Sequence, residues 1–484
     1  MGREKIVKNA LWRLMERCGA QGITLVVSIV LARLLSPTDY GTVSLVLVFL
    51  TIMEVFVDSG LGNALIQKKD ADELDFSSVF IFNMIFCCFL YVIMFFAAPL
   101  IAKFYDNSSL TSLVRVLSIT LIISGFKNIQ IAYVSRHLMF KKFFFATLVG
   151  TISAAIVGIS LAYMGLGVWV LVAQNLVNQV IDTIVLWITV EWRPKKQFSW
   201  GRFKALYSFA WKLLATNLID TIYQKIRQLV IGKVYTSSDL AYYNQGQTLP
   251  YAIVSNVNVA MDSVLFPALS KEQDDKENLK QLTQKAMTMS LYIMAPLLMG
   301  MAAVADSLVR VLLTEKWLPC VFYIRITCIS FLFYPINTAN INAIKALGRS
   351  DIVLKLEIAK KALGIFLLLI TFKLGVRAIA IGTLVASAVA QILNCSPNKK
   401  LLGYRYMEQI KDIFPTLFLS VIMYIVVISI PTFISAKPLF QLICQIIVGG
   451  LIYWIVSMIF KLKEYATIIV LIKAMLGKRV KKEK

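Results

Sequence analysis

Five polar residues recur at regular intervals in a largely apolar stretch near the middle of the sequence: Lys212, Thr216, Asp220, Gln224 and Arg227. Their spacings of four, four, four and three put them on one face of an α-helix. A second apolar stretch, near the start, carries Arg13, Arg17, Gln21, Thr24 and Ser28 at helical spacing. An ionisable side chain inside a bilayer costs at least about 2.5–3.5 kcal/mol on insertion scales, so it needs a partner, a wet cavity or a role. Two full-length polar stripes imply a cavity lined by both helices. The alternative is a hydrogen-bonded interhelical seam, with Arg13, Arg17 and Lys212 snorkelling to the inner surface.

Arg115, Lys127 and Arg325 add cations in other apolar stretches, while the acids there are fewer: Glu54, Asp58, Asp220 and Asp262. A net positive wet cavity selects an anionic substrate, and guanidinium forks suit phosphate oxygens in particular. The candidate substrate-binding set is therefore Arg13, Arg17, Lys212, Gln224, Arg227, Arg115, Lys127 and Arg325. Glu54, Asp58, Asp220 and Asp262 are either structural counter-charges or the site of a coupling H⁺ or Na⁺. Asp306 and Arg310, four residues apart, read as a local ion pair. Covalent chemistry finds little support. His137 is the single histidine, the seven cysteines lie in apolar runs without a CxxC pair, and no Walker-type phosphate loop occurs. No catalytic residue, metal site or cofactor is expected.

The elements that carry these residues follow from composition. Of 484 residues 58% are hydrophobic and 16% charged, against roughly 45–50% and about 25% in soluble proteins. Yet the net charge is +23. A nucleic-acid binder of that charge would not be this apolar, so the class is an all-α polytopic membrane protein with basic loops. Roughly fourteen stretches reach the ~20 residues a spanning helix needs. Alternating the loops from an inside N-terminus leaves about 32 Lys and Arg in the cytoplasm and about 8 outside, as the positive-inside rule requires. Both termini are then cytoplasmic; the resemblance given below implies the bacterial cytoplasmic (inner) membrane. The N-terminal run lacks an A-x-A cleavage site and reads as a first span.

The two halves resemble each other. Trp12-Arg13-Leu14-Met15 matches Trp211-Lys212-Leu213-Leu214, and Ser36-Pro37-Thr38-Asp39 matches Thr236-Ser237-Ser238-Asp239. Asp58-Ser59 with Ala64-Leu65 matches Asp262-Ser263 with Ala268-Leu269, and Leu166-Gly167-Val168 matches Leu374-Gly375-Val376. The matches are collinear. Six spans per copy is an even number, so the copies enter the membrane from the same side and form parallel repeats. The expected organisation is two parallel six-helix lobes around a central cavity, residues 1–200 and 201–398. Two additional helices (399–462) and a basic cytoplasmic tail (463–484) follow, and Ile468, Ile469, Ile472 and Met475 give the tail the pattern of an amphipathic helix.

Ala32-Arg33-Leu34-Leu35-Ser36-Pro37-Thr38-Asp39-Tyr40-Gly41, followed by Asp58-Ser59-Gly60-Leu61-Gly62-Asn63-Ala64-Leu65, resembles the opening of Wzx-type polysaccharide flippases. These belong to the multidrug/oligosaccharidyl-lipid/polysaccharide (MOP) exporter superfamily. Trp192-Arg193-Pro194-Lys195, Phe266-Pro267-Ala268-Leu269-Ser270 and Ala343-Ile344-Lys345-Ala346-Leu347-Gly348-Arg349-Ser350-Asp351 add to the likeness, which is nearest to the colanic-acid and teichuronic-acid exporter branch. The resemblance implies a flippase that moves undecaprenyl-pyrophosphate-linked oligosaccharide by alternating access. It implies membrane lipids, a polysaccharide polymerase and glycosyltransferases as partners, and no nucleic acid. Rival readings are an ion-coupled drug or cation antiporter on the same fold and a membrane polysaccharide polymerase. The first would favour acids in the cavity; the second needs a large external loop.

Overall fold

The computed structural model describes the backbone of residues 3–58, 60–433 and 436–470, with all their side chains except those of 3–11, 13–18, 256, 258–260 and 262–264. No strand occurs among the described residues. The chain divides into two compact units, Met1–Ala241 and Tyr242–Lys484. The first contains α1 (Arg3–Leu34), α2 (Pro37–Asp58), α3 (Leu61–Gln67), α4 (Glu73–Phe104), α5 (Ser109–Leu117), α6 (Ile119–Arg136), α7 (Phe140–Tyr163), α8 (Val168–Thr189) and α9 (Trp200–Val234). After α10 (Ser237–Lys271), which begins in the first unit, come α11 (Lys276–Leu312), α12 (Cys320–Phe331), α13 (Tyr334–Ala346), α14 (Ser350–Thr371), α15 (Val376–Leu401), α16 (Tyr406–Phe433) and α17 (Pro438–Ile459).

Among the described residues, ten helical segments are long and apolar enough to cross a membrane: α2–α3, α4, α5–α6, α7, α8, α11, α12–α13, α15, α16 and α17. The other long helices, α1, α9, α10 and α14, carry the polar residues that lower their hydropathy. Packing repeats between the units. In the first, α4 lies against α5 and α6, α6 against α8, and α7 against α8. In the second, α11 lies against α12 and α13, α13 against α15, and α14 against α15.

The matching turn motifs also repeat atom for atom. Ser36 Oγ donates to Asp39 Oδ2 at 2.6 Å while the Asp39 N–H donates back to Ser36 Oγ at 3.2 Å. Thr236 and Asp239 make the same pair of bonds at 2.7 and 3.1 Å. Each closes a reciprocal helix cap, which satisfies N–H groups that a helix start leaves orphaned. The two caps meet, Thr38 Oγ1 to Ser238 Oγ at 2.9 Å. Gly41 permits this approach: a Cβ there would lie 1.7 Å from the Ser237 carbonyl oxygen.

Prolines inside helices are managed individually. A proline removes the N–H that would bond the carbonyl four residues earlier, and in lipid that carbonyl needs another donor. Pro99 frees the Phe95 carbonyl, which accepts from Arg115 Nε at 3.3 Å. Pro296 frees Tyr292, which accepts from Tyr453 Oη at 2.9 Å. Pro431 frees Val427, which accepts from Gln445 Nε2 at 3.1 Å.

Two clusters organise the ends. In the first unit, Trp192 is buried among Phe76, Phe80 and Tyr133, with ring centroids 5.8–6.2 Å apart. This anchors the segment before α9 against α4. In the second, α16 is fastened by buried carboxamides. Asn340 Nδ2 donates to Gln409 Oε1 at 2.9 Å, and Asn398 Nδ2 donates to Asn340 Oδ1 at 2.6 Å. Buried Tyr404 donates to Asp412 at 2.6 Å, and burial pushes its phenol pKa up. At the start of α14, Arg349 grips Asp351 with two bonds of 2.9 Å, drawing that carboxyl down to about 2.

Candidate functional site

The polar stripe of α9 survives folding on one side of the helix. The helix is buried on either side of that stretch, through Phe203, Leu206 and Ala210 before it and Ile231 after it, and it packs against α2, α3 and α4. Gly60, with φ of 70°, starts α3 where a Cβ would meet the Ala210 carbonyl oxygen at 2.8 Å, so the short helix abuts α9 closely. Lys212, Thr216 and Gln224 are exposed, while Asp220 and Arg227 are half-buried. Thr216 Oγ1 returns to the Lys212 carbonyl at 3.0 Å. The Arg227 guanidinium lies 5.3 Å from the Tyr223 ring centroid, a cation–π contact within the same helix. The Arg13, Arg17 and Asp262 side chains lie outside the described residues, so the matching stripe on α1 is visible only from Gly19 onward.

A second charged group forms between α2, α6 and α8. Lys127 Nζ is 2.5 Å from Asp182 Oδ2 and donates to Gln179 Oε1 at 3.3 Å. Asp182 is buried. Asp58 accepts from Asn128 Nδ2 at 3.3 Å, and Glu54 lies one turn before it on α2. These two contacts, Asp58 with Asn128 and Lys127 with Asp182, make up a charged layer across α2, α6 and α8. Sequence reading missed Asp182. Its signal was present as a run of carboxamides on α8, Gln174, Asn175, Asn178 and Gln179, that ends on it at helical spacing.

Arg115 and Arg325 prove to be equivalent. Arg115 on α5 bonds the Phe95 carbonyl of α4 and lies 4.2 Å from the Phe95 ring centroid. Arg325 on α12 bonds the Ala302 carbonyl of α11 through Nε at 3.2 Å. Both guanidinium groups thus brace a long helix of their own unit and, among the described residues, have N–H donors left over. Asp306 and Arg310 pair as expected at 2.7 Å, and Glu315 joins them at 2.9 Å.

Residues at the starts of α4 and α9 and in the segments before them make a clamp that composition did not foretell. Arg202, at the start of α9, is 2.5 Å from Asp72 and 3.6 Å from buried Asp75. Lys68 reaches Asp75 at 2.6 Å, and Lys195 pairs with Glu73. The backbone N–H groups of Lys195 and Ser199 donate to Ser77 and Ser78 of α4. The Asp75 N–H and the Arg202 guanidinium hold the Asp72 carboxyl below the usual range.

A family profile described as polysaccharide biosynthesis protein matches residues 30–322. The lipopolysaccharide biosynthesis protein WzxC of Escherichia coli is 25% identical over 431 residues, 86% of either chain. The teichuronic acid biosynthesis protein TuaB of Bacillus subtilis is 24% identical, covering 72% of this chain and 73% of its own. Among solved structures, the lipid II flippase MurJ in an inward closed conformation superposes with a TM-score of 0.77. It is 16% identical and covers 95% of this chain and all of its own. That likeness shows a shared MOP-type fold.

Proposed function

Since this chain belongs to the polysaccharide biosynthesis protein family, we propose that it is a flippase carrying a polyprenyl-pyrophosphate-linked oligosaccharide across the bacterial cytoplasmic membrane. The observation that carries the reading is the polar stripe of α9, with Lys212 and Gln224 exposed and Arg227 half-buried. Cations so placed suit a pyrophosphate, and the names of WzxC and TuaB both point to surface polysaccharide biosynthesis. Transport proceeds by alternating access without covalent chemistry, the prenyl tail remaining in lipid.

Adding α1, α9, α10 and α14 to the ten strongly apolar segments makes fourteen spans, with both termini cytoplasmic. The two six-helix repeats form the lobes, and α16 and α17 are the added pair. In the substrate path, Arg13, Arg17, Lys212, Gln224 and Arg227 contact the headgroup, and the spare donors of Arg115 and Arg325 add to its positive field. Lys127, held by Asp182, belongs with Glu54, Asp58, Asp220 and Asp262 to the charge balance through which a coupling H⁺ or Na⁺ acts. A polymerase and glycosyltransferases act after and before it on the same lipid. An excess of cations over acids disfavours a drug or cation antiporter.

The test is to delete the gene and measure the lipid-linked oligosaccharide on each leaflet. Accumulation on the cytoplasmic side supports the reading, and unchanged distribution refutes it. Lys212→Ala and Arg227→Ala together should abolish complementation at normal expression. Full complementation by the pair would reduce the stripe to packing.

A further inference from the structure

The first unit holds a second polar space, separate from its charged layer. A cavity of about 270 Å³ lies between α1, α2, α7 and α8, lined on its polar side by Ser28, Tyr40, Thr151, Gln174, Asn175 and Asn178. Leu31 and Leu171 supply apolar wall, and the lining contains no charged residue. We propose that this cavity is a subsite for one neutral sugar ring of the transported lipid, an inference that rests on the flippase reading.

The polar groups divide into those already satisfied and those still available. Ser28 Oγ donates to the Leu25 carbonyl at 2.8 Å, Thr151 Oγ1 to Thr147 at 2.7 Å, and Asn175 Nδ2 to Leu171 at 2.8 Å. Tyr40 Oη reaches the Ser28 carbonyl at 3.4 Å. The side-chain amides of Gln174 and Asn178 make no hydrogen bond among the described residues. Each amide offers two donors and an acceptor, which matches hydroxyl groups that both give and accept. A phosphate, with acceptors only, would call for cations, and the lining has none. Apolar wall beside carboxamides suits a ring with C–H faces and hydroxyl edges.

Size and rigidity agree with a single ring. Pockets for drug-sized ligands run from about 300 to 1,000 Å³, so this one is too small for a whole oligosaccharide. The amides are held in place by a close seam. Gly150, Ala154 and Gly158 recur every four residues on α7. A Cβ at Gly150 would lie 3.1 Å from the Asn178 carbonyl oxygen, and one at Gly158 3.4 Å from Gln174 Cγ. Small residues let α8 approach this closely, which orients its amides before any ligand arrives. Along α8, Gln179 and Asp182 then engage Lys127. The helix therefore offers neutral recognition next to charge, in the order a sugar linked to an anionic lipid presents them.

The full chain in proteoliposomes provides the test, with polyprenyl pyrophosphate carrying one hexose compared against bare polyprenyl pyrophosphate. Gln174→Met with Asn178→Leu keeps side-chain volume and removes both amides. Losing two hydrogen bonds to neutral groups should weaken transfer of the glycosylated lipid about tenfold or more, leaving the bare lipid unchanged. An equal fall for both lipids, or no fall for either, overturns the subsite; the second result would mean that the cavity holds only water. A photoreactive alkyl hexoside supplies a readout on the unaltered chain. Labelling of residues 171–178 that excess unlabelled hexoside suppresses supports the subsite, and labelling confined to other segments overturns it. If the unaltered chain moves neither lipid, the flippase reading fails, and the labelling pattern still decides whether α8 binds sugar.

Discussion

At the residue scale, the most constrained positions are those where a backbone group sits where a side chain would go. Gly41 is the clearest, because a Cβ would penetrate the Ser237 carbonyl. Gly41→Ala must push the two helix starts apart, and overpacking typically costs about 1–3 kcal/mol, occasionally more. The expected outcome is a lowered melting temperature in detergent and reduced membrane yield. A variant as stable as the parent would mean that the caps are free to separate. Arg115 makes a different kind of prediction, since its bond to the Phe95 carbonyl compensates for Pro99. Arg115→Met alone leaves that carbonyl without a donor, at a cost of about 1–3 kcal/mol. Pro99→Ala restores the N–H, so the double variant should be more stable than Arg115→Met alone. A double-mutant cycle of melting free energies reads the coupling, and simple additivity would disprove it.

At the scale of elements, helices α4 and α9 are tied by the clamp of Asp72, Asp75 and Arg202 and by the strap of residues 190–199. Arg202→Ala should release the strap, and limited proteolysis near Lys195 and Lys196 should accelerate at neutral pH. The pH dependence has a defined sign. A carboxyl held below its ordinary value contributes stability above the unfolded pKa of about 3.9 and loses it as pH falls through the lower folded value. The parent strap should therefore resist cleavage equally from pH 8 to 5 and loosen only below about 4. Loosening near pH 6 would implicate a different group. The Lys127–Asp182 pair is also an element-scale device, since it joins α6 to α8. Asp182→Asn leaves Lys127 inside the unit without its counter-charge, and breaking a buried pair costs about 3–5 kcal/mol. Its loss of stability should exceed that of a Lys127→Met, Asp182→Leu double replacement, measured by thermal unfolding.

For the whole molecule, orientation is the property that charge distribution predicts most directly. In a cysteine-free background, single cysteines at Lys196 and Arg405 should react with an impermeant thiol reagent only from the cytoplasmic side. Cysteines at Asp106 and Lys437 should react only from outside. A reversed pattern would invert the proposed direction of transport. The repeated packing of α4, α5, α6 and α8 by α11, α12, α13 and α15 gives each half its own bracing arginine, Arg115 and Arg325. Each of these arginines thus has a bracing role inside its own unit, beside the one proposed toward substrate.

Much of this was legible without coordinates. Helical class, membrane residence and the stripe on α9 follow from composition and from a period of 3.6 residues, which are local properties of the chain. The match of Ser36–Asp39 to Thr236–Asp239 was readable too, but that each closes a helix cap came from the structure. Tertiary structure alone determined which charges meet. Lys127 and Asp182 are 55 positions apart, Arg202 and Asp72 are 130 apart, and nothing in a helical period predicts such pairings. It also assigned Arg115 to a carbonyl freed by a proline on another helix, and gathered the amides of α8 around a cavity. An intramembrane polar group is identified by its cost in lipid, which sequence reveals; the partner that offsets the cost is chosen by packing.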